Sequence, residues 1–444
     1  MPSVKLSRIW KIAFPIIIGN VAQNLLIITD TAFIGHLDAI SLGAAALGNV
    51  FYMSVMMLGM GFSIGIQIIV ARRYGEDRHN TIGSVMHHAL YFIVPFAMAL
   101  WLFFRRTGSG ILSFLVESPD VLAATDQFLD IRIWGILFGF VIYTCQSFFV
   151  GIAKTKIILS VTFTMVAVNI LFDWILIFGN AGFEAMGIRG AALASVFAEI
   201  AGMAVYFYHI FIYRKQSFRK FGIFDKPSFS MATMRTLMKI SLPASLQNFI
   251  SVASWFIFFI MVEKIGEQEL AISNIGRSLY GIFLLPVWGF AAAVNSLVSY
   301  SIGRRKQLLI YPITGKVILI TSLSILLLEG LTFAFPDFIT SIYTDIPALR
   351  EATIGIMPSI CVSALIFGIG FICFNTVSGT GNTHISLFIE MLGTGVYIVV
   401  CVLAVRFWHW GIQYIWLADG IYGIVTIAAS FIYLSSGKWM KKKV

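Results

Sequence analysis

The chain has 444 residues, 59% of them hydrophobic and only 12% charged, with a mean hydropathy of +0.89 and a formal net charge of +10. A soluble domain carries about 25% charged residues, so this composition excludes one of this length and indicates a polytopic membrane protein. The four cysteines, Cys145, Cys361, Cys373 and Cys401, fall within apolar stretches without paired or metal-ligand spacing, and suggest neither a disulfide framework nor a zinc site.

Apolar runs long enough to cross a hydrocarbon core of about 30 Å recur along the chain. In order they cover approximately residues 12 to 35, 44 to 71, 82 to 104, 123 to 153, 157 to 178, 187 to 213, 236 to 262, 268 to 301, 309 to 333, 352 to 377, 384 to 405 and 412 to 435, which predicts twelve transmembrane helices and an all-α fold. The first span is too long for a cleaved signal core. The longest polar connection, about 214 to 235, is too short for a soluble domain, so function must reside inside the bundle. This organisation predicts an N-terminal six-helix lobe over residues 1 to 213, a cytoplasmic linker over 214 to 235 and a C-terminal six-helix lobe over 236 to 444.

Basic residues orient the spans. With the N-terminus inside, cytoplasmic segments hold Lys5, Arg8, Lys11, Arg72, Arg73, Arg78, Lys154, Lys156, the cluster from Arg214 to Lys239, Arg304 to Lys306, Lys316 and the tail Lys438 to Lys443. Outside lie only Arg105, Arg106, Arg189, Lys264, Arg350 and Arg406. The bias places both termini in the cytoplasm. It accounts for the positive charge as a topological signal with attraction to anionic lipid, and nucleic-acid binding is not needed to explain it.

The sequence is written twice. "KIAFP" at 11 to 15 aligns with "KISLP" at 239 to 243, an offset of 228, and the alignment continues through Gly61-Phe62 on Gly289-Phe290, Gln67 on Asn295, Gly75 on Gly303 and Gly151 on Gly379 without a gap. Each half holds six spans, an even number, so the repeats run parallel, and proteins of this kind place substrate near the membrane midplane between their halves. The duplication points to a transporter of alternating access. Pro15 and Pro243 occupy corresponding positions, where proline can free backbone carbonyls or serve structure alone.

A charge at the centre of a membrane helix costs about 2.5 to 3.5 kcal/mol on insertion scales, so each acid there requires a partner, water or a cation. The first span rises from Lys11 and the fifth from Lys156, which puts Asp30 and Asp173 at a similar height, roughly 28 Å up for Asp30 at about 1.5 Å per residue. Asn169 precedes Asp173 by four residues and shares its face. Ser195, on the descending sixth span, reaches the same outer half. Two carboxylates, an amide oxygen and a hydroxyl at one level suit a hard cation or a shared proton. Glu199, one turn below Ser195, is either a lower relay or a structural hydrogen-bonding group. Glu390 and Asp419 are placed for a separate polar network in the second half. Glu329 falls near a span end and reads as interfacial, and Asp126, Asp130 and Arg132 read as one ion-pair group at the outer mouth.

Several stretches resemble the multidrug and toxic-compound extrusion (MATE) transporter family over nearly the whole chain. "TDTAFIGHLDAISLGAAALGN" at 29 to 49 is similar to the family's first-span aspartate and the small-residue start of span two. "NILFDWILIFG" at 169 to 179, "GIRGAALAS" at 187 to 195 and "SGTGNTHIS" at 378 to 386 are similar to three further family stretches, in the same order. The resemblance implies two six-helix lobes around a central cavity and export of organic, often cationic compounds driven by inward proton or sodium movement. It implies no cofactor beyond that coupling ion and a bacterial cytoplasmic (inner) membrane; two internal lobes supply the cavity without a partner chain, which suits a monomer as the working unit and leaves the oligomeric state open. In the DinF-like branch the cation site uses a first-span aspartate with an asparagine and aspartate four apart on span five; Asp30, Asn169 and Asp173 fall on these positions, and Ser195 stands where many relatives have threonine. The NorM-like branch uses acids on spans seven and ten, which have none here, since Glu263 lies at the end of span seven. The 17 methionines and the 15% of aromatic residues suit apolar, deformable walls for varied guests, though most of the 40 phenylalanines face lipid or pack helices.

Two other readings are weaker. A lipid-linked saccharide flippase of related architecture would need a strongly basic cavity, and only Arg132 and Arg277 stand clear of the span ends. An intramembrane enzyme would need a metal or nucleophile motif. None is present, and the adjacent His87 and His88 point to different helix faces.

Overall fold

The computed structural model describes residues 5–114, 116 and 118–441; Lys442 and Lys443 of the basic tail lie outside the described residues. Thirteen long helices carry the fold among those residues: α1 (Leu6–Gly35), α2 (Ala39–Gly75), α3 (Ile82–Ser113), α4 (Pro119–Arg132), α5 (Gly135–Gly151), α6 (Lys156–Phe178), α7 (Ile188–Phe207), α8 (Met231–Glu263), α9 (Glu267–Gly303), α10 (Ile310–Ala334), α11 (Pro347–Gly379), α12 (Thr383–Arg406) and α13 (Leu417–Ser435). Eleven spans are long and apolar enough to cross a membrane, and the bent pair α4 and α5 supplies the twelfth. The protein is an all-helical polytopic membrane protein of two six-span repeats.

The expected continuous fourth span is broken. Its halves meet at 49° across Ile133 and Trp134, at the point where Arg132 turns to an acid on α7. The break follows the charged stretch from Asp126 to Arg132 and precedes the apolar run from Ile133, a change of composition that one continuous span over 123 to 153 passes over.

The chain divides into two compact units. One is formed by Ile18–Ser245, the other by Met1–Ile17 with Leu246–Val444. The division after Ile17 and the division after Ser245 are spaced by the offset of the sequence repeat. Within the first unit, Gly61 on α2 admits the backbone of α8, since a Cβ there would lie 2.6 Å from the Ala244 oxygen, and the Ser245 hydroxyl donates to the Leu58 carbonyl at 2.8 Å. Within the second, Gly289, the counterpart of Gly61, sits against Ala13 and Ile17 of α1, while Trp10 meets Phe290 edge-on at 5.3 Å. The glycine repeated in the two halves therefore admits corresponding segments, of α8 in one unit and of α1 in the other. Pro15 and Pro243 lie inside α1 and α8, each just before one of these divisions.

The polar connection after α7 folds onto the first unit. Phe218 and Phe221 are fully buried against Phe148, and the Gly83 amide donates to the Phe221 carbonyl at 2.6 Å. His87 and His88, expected on different faces, both engage this segment: His87 Nε2 lies 3.0 Å from the Ile223 carbonyl, and His88 Nε2 accepts the Ser230 amide at 2.7 Å.

Candidate functional site

The site is built by α1, α6 and α7. A tight hairpin fixes the last two: Gly179 takes a left-handed conformation, φ +75°, that ends α6. The Met186 amide then donates to the Leu176 carbonyl at 2.8 Å, and Gly190 brings α7 so close that a Cβ would stand 2.6 Å from the Leu176 oxygen. Phe33 and Phe178 pack with centroids 5.9 Å apart and tie α1 to the same level of α6.

At that level Asp30 faces Asp173, with Asn169 alongside Asp30 on the face of α6 that it shares with Asp173. Asn169 and Asp173 are completely buried. One oxygen of Asp30, both oxygens of Asp173 and the amide oxygen of Asn169 accept no hydrogen bond. Two carboxylates facing each other are both acceptors, and they bond only once a proton sits between them. Four unsatisfied buried oxygens at one level fit a proton or a small oxygen-loving cation. No group of three or more His, Cys, Asp or Glu side chains placed to hold a metal occurs among the described residues.

Ser195 lies half-buried on α7 and forms no hydrogen bond with Asp30 or Asp173 among the described residues. Glu199 accepts from Arg132 Nη2 at 2.8 Å and from the Tyr52 hydroxyl at 2.8 Å, with the Arg132 guanidinium 3.5 Å from the Tyr52 ring centre. Gly135 leaves room for all three: a Cβ there would overlap Glu199 and Arg132. The sequence groups Arg132 with Asp126 and Asp130. Instead Asp130 pairs with Arg105 at a cavity of about 280 Å³ that also takes in Asp126. Arg132 is also within electrostatic range of Asp30. Its role is hidden in the sequence because the partner lies far along the chain, on another helix.

In the second unit Glu390 accepts from Ser251, from Tyr422 at 2.8 Å and from Thr394 at 3.3 Å. Asp419 is buried beside Tyr280, Tyr397, Cys401 and Tyr422. Glu329, read from sequence as interfacial, is 6% exposed, with Oε1 unbonded, because the α10 face that carries it packs inward.

The family model MatE matches residues 15–175 and again 243–403, two equal stretches spaced by the offset of the sequence repeat. The chain is similar to a probable multidrug resistance protein NorM of Agrobacterium fabrum, 27% identical over 354 residues covering 77% of this chain and 73% of that protein. A probable multidrug resistance protein NorM of Thermotoga maritima is 22% identical over 445 residues, covering 100% and 95%. A solved outward-facing multidrug resistance MATE family transporter superposes with a TM-score of 0.90 at 17% identity, over 98% of this chain and 96% of that one. These relatives carry the name NorM, and none of them carries that of the DinF-like branch whose pattern the sequence resembles. With both repeats matched by one family model, the chain belongs to the MATE family of transporters.

Proposed function

We propose that the protein is a secondary active antiporter that exports organic, cationic and amphipathic compounds in exchange for inward-moving protons or sodium ions, by alternating access. The observation that carries this reading is a local charge balance. Asp30 and Asp173 face each other with no cationic side chain bonded to either, and Arg132, the cation within range of Asp30, is bonded to Glu199. A buried carboxylate pair without a cation is costly, and a proton or small cation taken from water relieves it reversibly.

In this reading Asp30 and Asp173 take the ion, and Asn169 supplies an amide oxygen. Arg132 and Glu199, with no net charge between them, hold α7 against the bend between α4 and α5. A second cavity of about 20 Å³, room for a single water, is lined by Asn20, Gln23, Gln146 and Thr162 along α1, α5 and α6, and offers the ion a polar path. The names of the relatives support foreign compounds as cargo. The protein works as a transporter and not an enzyme, as a monomer in a bacterial inner membrane, with both termini cytoplasmic. A flippase has no observation in its favour, since Arg132, one of the two arginines it would use, is neutralised by Glu199.

The test is efflux of a fluorescent organic cation from proteoliposomes under an imposed proton gradient and, separately, an imposed sodium gradient. Efflux driven by one of them supports antiport and names the ion. A wild-type protein that responds to neither overturns the reading.

A further inference from the structure

The offset of the repeat assigns every residue of the acid site a counterpart in the second half. Asp30 corresponds to Phe258, Asn169 to Tyr397 and Asp173 to Cys401. The fold brings these three together as well: the Phe258 and Tyr397 rings pack with centroids 6.4 Å apart, and the Tyr397 hydroxyl is directed at the Cys401 sulfur. Neither acid is repeated at this position, yet it is not free of acid. Asp419, from α13, lies within electrostatic range of Tyr397 and Cys401.

The surroundings of Asp419 differ from those of Glu390. Glu390 accepts hydroxyl bonds from Ser251, Thr394 and Tyr422, and these hydroxyls stand in for water around its charge. Asp419 is 5% exposed, and no hydrogen bond is donated to it among the described residues. The Tyr422 hydroxyl is committed to Glu390, and the Tyr280 hydroxyl, on a fully buried side chain beside Asp419, is unbonded. The titratable groups facing Asp419 are therefore Tyr280 from α9, Tyr397 and Cys401 from α12 and Tyr422 on its own helix, none of them a cation. Its aromatic neighbours are themselves packed, Tyr280 against Trp416 at 5.7 Å and Tyr422 against Phe367 at 5.7 Å. An acid with no cation beside it and no hydrogen bond donated to it suits a proton.

We propose that Asp419 is a second proton-binding site, in the C-terminal half, at the place the internal repeat assigns to the acid pair of the N-terminal half. The proton comes from water and returns to it, and the only bond made and broken is the carboxyl O–H. This site goes beyond the exchange proposed above and stands without it, because it can be read in protein that transports nothing.

Two measurements test it. The first is the ratio of protons to organic cations exchanged in proteoliposomes by wild type and Asp419→Asn. Loss of one proton from the ratio, with export retained, is the expected result, and an unchanged ratio in a transporting Asp419→Asn overturns the proposal. The second is infrared difference spectroscopy of the purified protein between alkaline and acidic buffer. It should show a protonated-carboxyl band that disappears in Asp419→Asn while the bands lost in Asp30→Asn and Asp173→Asn remain. A wild-type spectrum with no component assigned to Asp419 overturns it, whether or not the variant transports. If no ion gradient drives wild-type export, the antiport reading falls while the infrared result still decides on Asp419.

Discussion

Arg132 is held to Glu199 by a 2.8 Å ion pair that bridges α7 to the bend between α4 and α5, with both side chains buried. Breaking a buried pair from one side leaves an uncompensated charge and costs about 3–5 kcal/mol, whereas removing both charges together costs less. Arg132→Gln and Glu199→Gln should each lower the thermal midpoint in detergent, and the double variant should recover part of the loss. A double variant whose destabilisation equals the sum of the single ones would show that the two residues do not act as a pair.

Gly190 sets the distance between α6 and α7, and with it the height at which Asp173 meets Asp30. Gly190→Val should destabilise by about 1–3 kcal/mol through overpacking and should impair transport. Gly108→Ala is the matched control, since a Cβ there meets nothing within 4 Å, and its thermal midpoint should not fall.

Asp38 caps α2, accepting from the Ser41 amide and the Ser41 hydroxyl, each at 2.7 Å. The bond from the Ser41 amide, with that from its hydroxyl, holds the carboxyl below its ordinary value. A carboxyl with a lowered folded-state pKa adds stability above its unfolded value, and that stability is lost as pH falls through the folded one. Asp38→Ala should therefore be less stable than wild type at neutral pH, and the difference should vanish in acid below the ordinary carboxylate range. Thermal melts of both proteins across pH measure this directly.

Much of this is legible in the chain. Counting residues up from Lys11 and Lys156 brings Asp30, Asn169 and Asp173 to one level, because a membrane helix rises uniformly and its ends are marked by basic residues. The repeat is legible because Gly61 and Gly289 must each admit a crossing helix. Partnerships across helices are not. The pairing of Arg132 with Glu199, the burial of Glu329 and the lack of a bond from Ser195 to the acids depend on helix rotation, which composition does not encode. The passage of Met1–Ile17 into the second unit is equally hidden, because α1 runs unbroken through Pro15.

Phe218 anchors the segment after α7 between Phe148 and Phe149, with Lys154 over its ring at 4.8 Å. Trypsin needs that segment to open before it cuts at Arg214, Lys215, Arg219 or Lys220. Phe218→Ala removes a buried aromatic worth about 3–5 kcal/mol, so cleavage there should be many-fold faster than in wild type. Equal cleavage rates would show that the segment is not held by Phe218.

The central claim is that the Asp30–Asp173 pair carries the coupling ion. The most direct test compares two activities of Asp30→Asn in the same proteoliposomes: gradient-driven accumulation of an organic cation, and exchange of labelled for unlabelled cation at equilibrium with no gradient. The account predicts that accumulation is lost while equilibrium exchange persists, because the cargo path remains and only its link to the ion is cut. Gradient-driven accumulation at the wild-type rate would contradict it.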